Sequence, residues 1–193
     1  MPISDRSARL LAQHSPVDLE RLQRAEAAVR SKYPKIGALK FKVQPGQGPG
    51  YAEFYPADEA YNPNPGTPTL EVRKFALSDK ELESVILGDA LHLAGSEIEG
   101  FRKGKQEFVK SLKPSQLGVL RDMYEDDRQS GSKRTFGEFV EQSGADAFIR
   151  DYMFQSENAI PGGKPFVEGV GPVLGAFFED QIPVLENMRR SLR

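Results

Sequence analysis

The sequence predicts an α+β fold: a small sheet with a backing helix and a buried central helix, followed by a helical C-terminal half. Three observations predict it. Between residues 36 and 75, short stretches alternate apolar and polar side chains, the period of half-buried strands. Ahead of them, Leu19, Leu22, Ala25 and Val29 recur at helical spacing. After them, residues 79–94 are apolar on nearly every side, the mark of a helix enclosed in a core.

Taken in order, residues 1–15 read as a flexible N-terminal arm. Ser15 is placed to cap the first helix, with Pro16 in its first turn, and Tyr33-Pro34 stops it. Ile36, Ala38, Phe41 and Val43 suggest a first strand, and Gln44–Gly50 a Pro/Gly turn. Residues 51–55 read as a second strand, Pro56–Pro68 as a long loop, and Thr69–Phe75 as a third strand with one apolar face. Ser78 and Glu81 form a capping box at the start of the central helix. Further helices are expected at Phe101–Leu112, from Pro114 to Tyr124, and from a second capping box at Thr135–Glu138 through Val140. The charged run Glu125–Lys133 reads as a solvated turn, and Gly144 as an interruption. Residues 155–175 are rich in Gly and Pro. A last apolar helix, Val173–Leu192, should kink at Pro183. The domain reading is therefore an arm (1–15), a main α+β domain (16–154), and a linker with a C-terminal helix (155–193).

Composition removes several functions. The chain has 193 residues, no cysteine and two histidines, His14 and His92. Disulfides, thiolate metal sites and cysteine nucleophiles are excluded, and a multi-histidine metal site has too few ligands. A formal net charge of -2 offers no general attraction for nucleic acid. No apolar run reaches membrane-spanning length, and the charged start lacks the apolar stretch of a secretory signal. Gly46–Gly50 lacks the Gly-Lys-Ser/Thr ending of a phosphate loop, and no G-x-S-x-G elbow is present.

The most informative stretch is Gly88-Asp-Ala-Leu-His92-Leu-Ala-Gly95. It resembles the zincin signature H-E-x-x-H with its chemistry removed. Gly88 stands at the first histidine, Asp89 at the general base, and only His92 survives. Gly95 fits the glycine of the longer metzincin form, but Ile98 stands at its third histidine. A catalytic zinc takes about three protein ligands, and this helix offers one good one. The order of elements over residues 16–100 is similar to the N-terminal half of the zincin fold. That resemblance implies a substrate-side edge strand in the place of Leu70–Phe75.

A second resemblance is to a module of bacteriophage and prophage proteins. It is carried by the Pro/Asn-rich loop before a strand (Glu59–Val72), Ile86–His92, Lys110–Gln116, Tyr124–Arg128, and Phe136–Arg150 with its D-A-F-I-R ending. The resemblance implies a minor virion or ejected protein, acting in the virion or the host cytoplasm through a viral or host protein.

The leading expectation is a non-enzymatic structural or interaction protein on a metal-free zincin-like scaffold, with no cofactor. Asp89 and His92 would form a buried polar pair. Leu70, Val72, Phe75, Tyr51 and Tyr55 would meet the partner, and the C-terminal helix could pack on its own body or on a second copy. Two rivals stay open. One is a metal-dependent, peptidase-like hydrolase using His92, Asp89, Glu97 and Glu99. The other is an inhibitor or effector that binds a host protein.

Overall fold

The computed structural model describes residues 18–47, 52–73, 77–129, 133–141, 146, 149–150, 152–153 and 179–193. It is α+β, with a three-stranded sheet and seven helices among those residues. The chain divides into two compact units, Met1–Ala90 and Leu91–Arg193. The boundaries expected at 15/16 and 154/155, the Ser15 cap, the Gly144 interruption and the 155–175 linker lie outside the described residues.

In the first unit, α1 (Leu19–Lys32) is capped by Asp18, whose carboxylate accepts from the Arg21 amide at 2.8 Å. Its stripe of Leu22, Ala25 and Val29 is buried, and the helix packs on the first strand as the backing helix. Residues 36–43 do not form one strand. Pro34 opens a single helical turn, α2 (Pro34–Gly37), because its ring presets the first helical position. Strand β1 then begins at Lys42 (Lys42–Pro45).

Arg30 holds this connection. Its Nε donates to Glu26, Nη1 reaches the Gly37 and Leu39 carbonyls at 3.2 and 3.1 Å, and Nη2 reaches the Phe41 carbonyl at 3.0 Å. The guanidinium carbon sits 4.0 Å from the centre of the Phe41 ring. Gly37 lets the chain pass close: a β-carbon there would meet the Arg30 carbonyl oxygen at 2.9 Å.

The sheet order is β1-β3-β2, with β2 at Ala52–Tyr55 and β3 at Thr69–Val72. β3 pairs in parallel with β1 and antiparallel with β2. Register places Val43, Leu70 and Phe54 in one row, and Pro45, Val72 and Ala52 in the next row on the same apolar face. Lys42, Thr69, Tyr55, Gln44, Glu71 and Glu53 line the opposite, polar face. Over residues 69–72 the expectation of an open edge is thereby corrected. β3 is the central strand, its Leu70 and Val72 are fully buried, and its main chain is hydrogen-bonded on both sides.

The loop between β2 and β3 is ordered without regular structure. Buried Asn62 donates to the Pro56 and Thr67 carbonyls, both at 2.9 Å, and accepts from the Asn64 amide. Asn64 in turn bonds Gln44 and Lys42 of β1. Gly66 turns the chain at φ 84°, a conformation that a β-carbon disfavours.

The long helix α3 (Asp79–Glu97) starts at the expected Ser78/Glu81 capping box and runs one turn further than its apolar pattern. Arg21 of α1 clamps its start through Asp79 and the Leu77 carbonyl. Within the first unit it buries Leu82, Ile86, Leu87 and Ala90.

The second unit takes the last residues of α3, then α4 (Glu99–Ser111), α5 (Pro114–Gln129), α6 (Phe136–Phe139) and α7 (Ile182–Ser191). The solvated turn expected from Glu125 is corrected: α5 continues to Gln129, with Glu125 and Arg128 exposed on the helix. Thr135 and Glu138 form the expected capping box. Pro183 does not kink a long helix. It lies in the first turn of α7, after a 3-10 turn at Glu179–Gln181, where its missing N–H has no bond to lose.

α7 packs on α4, where Leu185, Met188 and, just past its end, Leu192 are buried, while Ile182 in its first turn is 40% exposed. Gly100 and Gly104 permit the approach. A β-carbon at Gly104 would lie 2.4 Å from Met188 Cγ, which is the middle of a buried side chain and cannot swing clear. Gly104→Ala should therefore destabilise the fold by about 1–3 kcal/mol through overpacking, outweighing the roughly 1 kcal/mol that alanine contributes in a helix. Urea unfolding of Gly104→Ala alone and with Met188→Ala checks this. The second change should recover part of the loss. No helix among the described residues is long and apolar enough to cross a membrane.

Candidate functional site

His92, Lys105 and Asp146 meet in the second unit. His92 projects from the end of α3, Lys105 from the middle of α4, and Asp146 is a residue in helical conformation after α6. Asp146 Oδ2 lies 2.8 Å from His92 Nδ1, and its Oδ1 lies 2.8 Å from Lys105 Nζ. The Asp146 and Lys105 side chains are 6% and 9% exposed, whereas that of His92 is 38% exposed. One side of the cluster is thus dry and the imidazole side is wet.

Burying a carboxylate and an ammonium costs several kcal/mol per ion, which mutual attraction must offset. Here the offset is incomplete. Both contacts are at ion-pair distance, yet among the described residues neither Asp146 oxygen receives a hydrogen bond in a favourable direction. Among the described residues, the buried carboxylate has traded water for two coulombic neighbours.

The local sequence explains the placement. Phe101, Lys105, Phe108 and Leu112 follow one another at helical spacing, and all four are buried. Lys105 therefore occupies a core position of α4 and needs an anion. Gly95, one turn after His92, leaves ordinary van der Waals room beside the ammonium: a β-carbon there would be 3.6 Å from Nζ.

The residues singled out in the sequence are distributed as follows. Asp89 is half-buried on α3, and His92 lies beside Asp146. Glu97 and Glu99 are exposed, and Glu99 pairs with Lys103 at 2.6 Å, whose hydrogen bond holds its carboxyl below the usual range. Among the described residues, no three His, Cys, Asp or Glu side chains are placed to hold a metal ion, so Asp89, His92, Glu97 and Glu99 form no such set. Leu70 and Val72 lie in the core. Tyr55 lies on the polar face of the sheet, donating to Glu53 at 2.9 Å and accepting from Arg73 at 2.7 Å. Burial and the Glu53 bond raise its phenol above the ordinary value. Tyr51 and Phe75 lie outside the described residues.

Lys105 and Asp146 are the functional candidates that sequence reading missed. The signal for Lys105 was present: a lone cation within a stripe of Phe and Leu. Asp146 sits inside the D-A-F-I-R segment, but only the fold brings it to His92.

A second polar contact anchors α7. Tyr152 Oη donates to Glu186 Oε1 at 2.5 Å, and Arg189 donates to Glu186 Oε2 at 2.8 Å. Burial and Glu186 push the tyrosine up to about 12, and the tyrosine bond, with help from Arg189, holds the Glu186 carboxyl below its usual range. The raised phenol favours folding below pH 10.0, and that contribution fades as pH climbs toward about 12. The lowered carboxyl favours folding above its unfolded value of 4.5, and that contribution fades as pH drops through the folded value. Tyr152→Phe should therefore flatten the alkaline limb of a stability-versus-pH curve measured by urea unfolding, and shrink the acid limb. An alkaline limb unchanged by the substitution would contradict this assignment. No protein-family model, curated protein or solved structure matches this chain.

Proposed function

We propose that this chain is a non-enzymatic, phage-derived interaction protein, acting in virion assembly, ejection or host-protein binding, on a zincin-like scaffold that works without metal. The observation that carries the reading is Lys105. A zincin helix surrounds its histidine with further metal ligands, whereas here an ammonium shares the carboxylate beside His92. A fixed positive charge supplies the electrostatic partner of Asp146 and repels a dication from the same place.

With β3 enclosed, the loop between β2 and β3 is the better partner surface. Tyr61 stands 85% exposed directly before the buried anchor Asn62, with exposed Asp58 and Glu59 in the same loop. An aromatic ring on a pre-ordered loop loses little conformational freedom on binding.

The test is metal analysis together with co-purification against the products of neighbouring genes. The purified chain should carry no stoichiometric zinc, and a virion or host protein should co-elute with it. Tyr61→Ala should weaken that association by about 2 kcal/mol, roughly 30-fold, while leaving stability unchanged. Stoichiometric zinc that disappears in His92→Ala, accompanied by peptide cleavage, would replace this reading with the hydrolase.

A further inference from the structure

We infer that Lys105 and Asp146 are poised to join covalently, as an intramolecular side-chain amide that staples α4 to the segment carrying Asp146. The reacting groups are already in place: Nζ lies 2.8 Å from Oδ1, both side chains are nearly water-free, and both Asp146 oxygens lack well-directed hydrogen bonds. A buried charge held this way is poorly stabilised, and a neutral amide removes both charges at once. Holding amine and carboxyl 2.8 Å apart and nearly out of water supplies the proximity that condensation in water lacks.

The chemistry balances without any added reagent. One proton passes from the ammonium to Oδ1, leaving a neutral amine and a carboxylic acid. The Nζ lone pair bonds to Cγ, and the Cγ–Oδ2 π pair moves onto Oδ2. That oxygen lies 2.8 Å from His92 Nδ1, so the imidazole stands beside the position where negative charge develops and can turn its N–H onto it. A second proton moves from nitrogen to the Oδ1 hydroxyl, the Cγ–Oδ1 bond breaks, and water leaves. The pair on Oδ2 returns to form the amide carbonyl. Each neighbour of Asp146 thus has one part: Lys105 faces the oxygen that departs, and His92 faces the one that stays. The amide removes the ammonium and the carboxylate together, so a dication gains no ligand from the reaction; the staple is independent of partner binding, and its test does not require a partner.

Intact-mass spectrometry of the purified full chain reads the bond directly. The protein should be lighter than its sequence by one water, and proteolysis should give a branched fragment joining Lys105 to Asp146. Lys105→Arg and Asp146→Ala should both carry the full sequence mass. His92→Gln keeps both reacting groups and should slow bond formation on the order of 100-fold. Wild-type protein that keeps its full mass after prolonged incubation overturns the proposal, whatever the variants do. Water loss confined to Asp146, as in the succinimide any aspartate can form, overturns it equally. Bond formation at the wild-type rate in His92→Gln would overturn the part given to the imidazole.

Discussion

Lys105→Met is expected to lower the stability of the second unit by about 3–5 kcal/mol relative to the ion-paired, full-mass chain. The expectation follows from what the substitution leaves behind. Methionine fills much the same volume on α4, so the packing of Phe101 and Phe108 is nearly kept. Asp146, however, would remain 6% exposed with only His92 beside it. An uncompensated carboxylate in a dry setting is the dominant cost, and removing it should restore most of the loss. The double change Lys105→Met with Asp146→Leu should thus approach wild-type stability, even though each single change fails. Urea denaturation of the four proteins forms a closed cycle. A single Lys105→Met cost below about 1 kcal/mol, the range of solvent-exposed pairs, would show that the cluster is wetter than described.

Arg30→Ala should cost the first unit about 3 kcal/mol, since hydrogen bonds from charged groups are each worth about 1.5–3 kcal/mol but do not sum. Alanine would keep the helix yet remove the donor from the carbonyls of Gly37, Leu39 and Phe41 in one step. It would also strip the Phe41 ring of its stacked cation. Lysine should not rescue, because one ammonium cannot span the fork of carbonyls that a planar guanidinium reaches. Thermal unfolding and amide exchange at residues 36–41 measure both statements. Wild-type protection there in Arg30→Ala would show that the connection holds itself.

Much of the fold could be read from residue order, and the limits have physical causes. Apolar periodicity located α1, α3 and α4, and the Ser78 and Thr135 capping boxes marked the helix starts they signal. Periodicity could not reveal which strand lies in the middle, because β3 pairs with a strand that precedes it by a loop, a strand and a second loop. The charged end of α5 deceived because solvated turns and exposed helix faces share a composition. Pro183 was correctly read as incompatible with a helix interior, but the first turn is the other place a proline fits. His92 was found by motif. Asp146 was not assigned to it, since residues 54 positions apart meet only after folding.

The strand order has a consequence for how the first unit is made. β1 and β2 follow one another in the chain, yet neither hydrogen-bonds the other, and both lean on β3. A nascent chain that has emerged only as far as Tyr55 therefore carries two unzipped ribbons with no template. Once residues 69–72 appear, both can zip almost together. Assembly of this sheet should be abrupt rather than stepwise, and fragments ending before Val72 should clump with one another through those waiting ribbons.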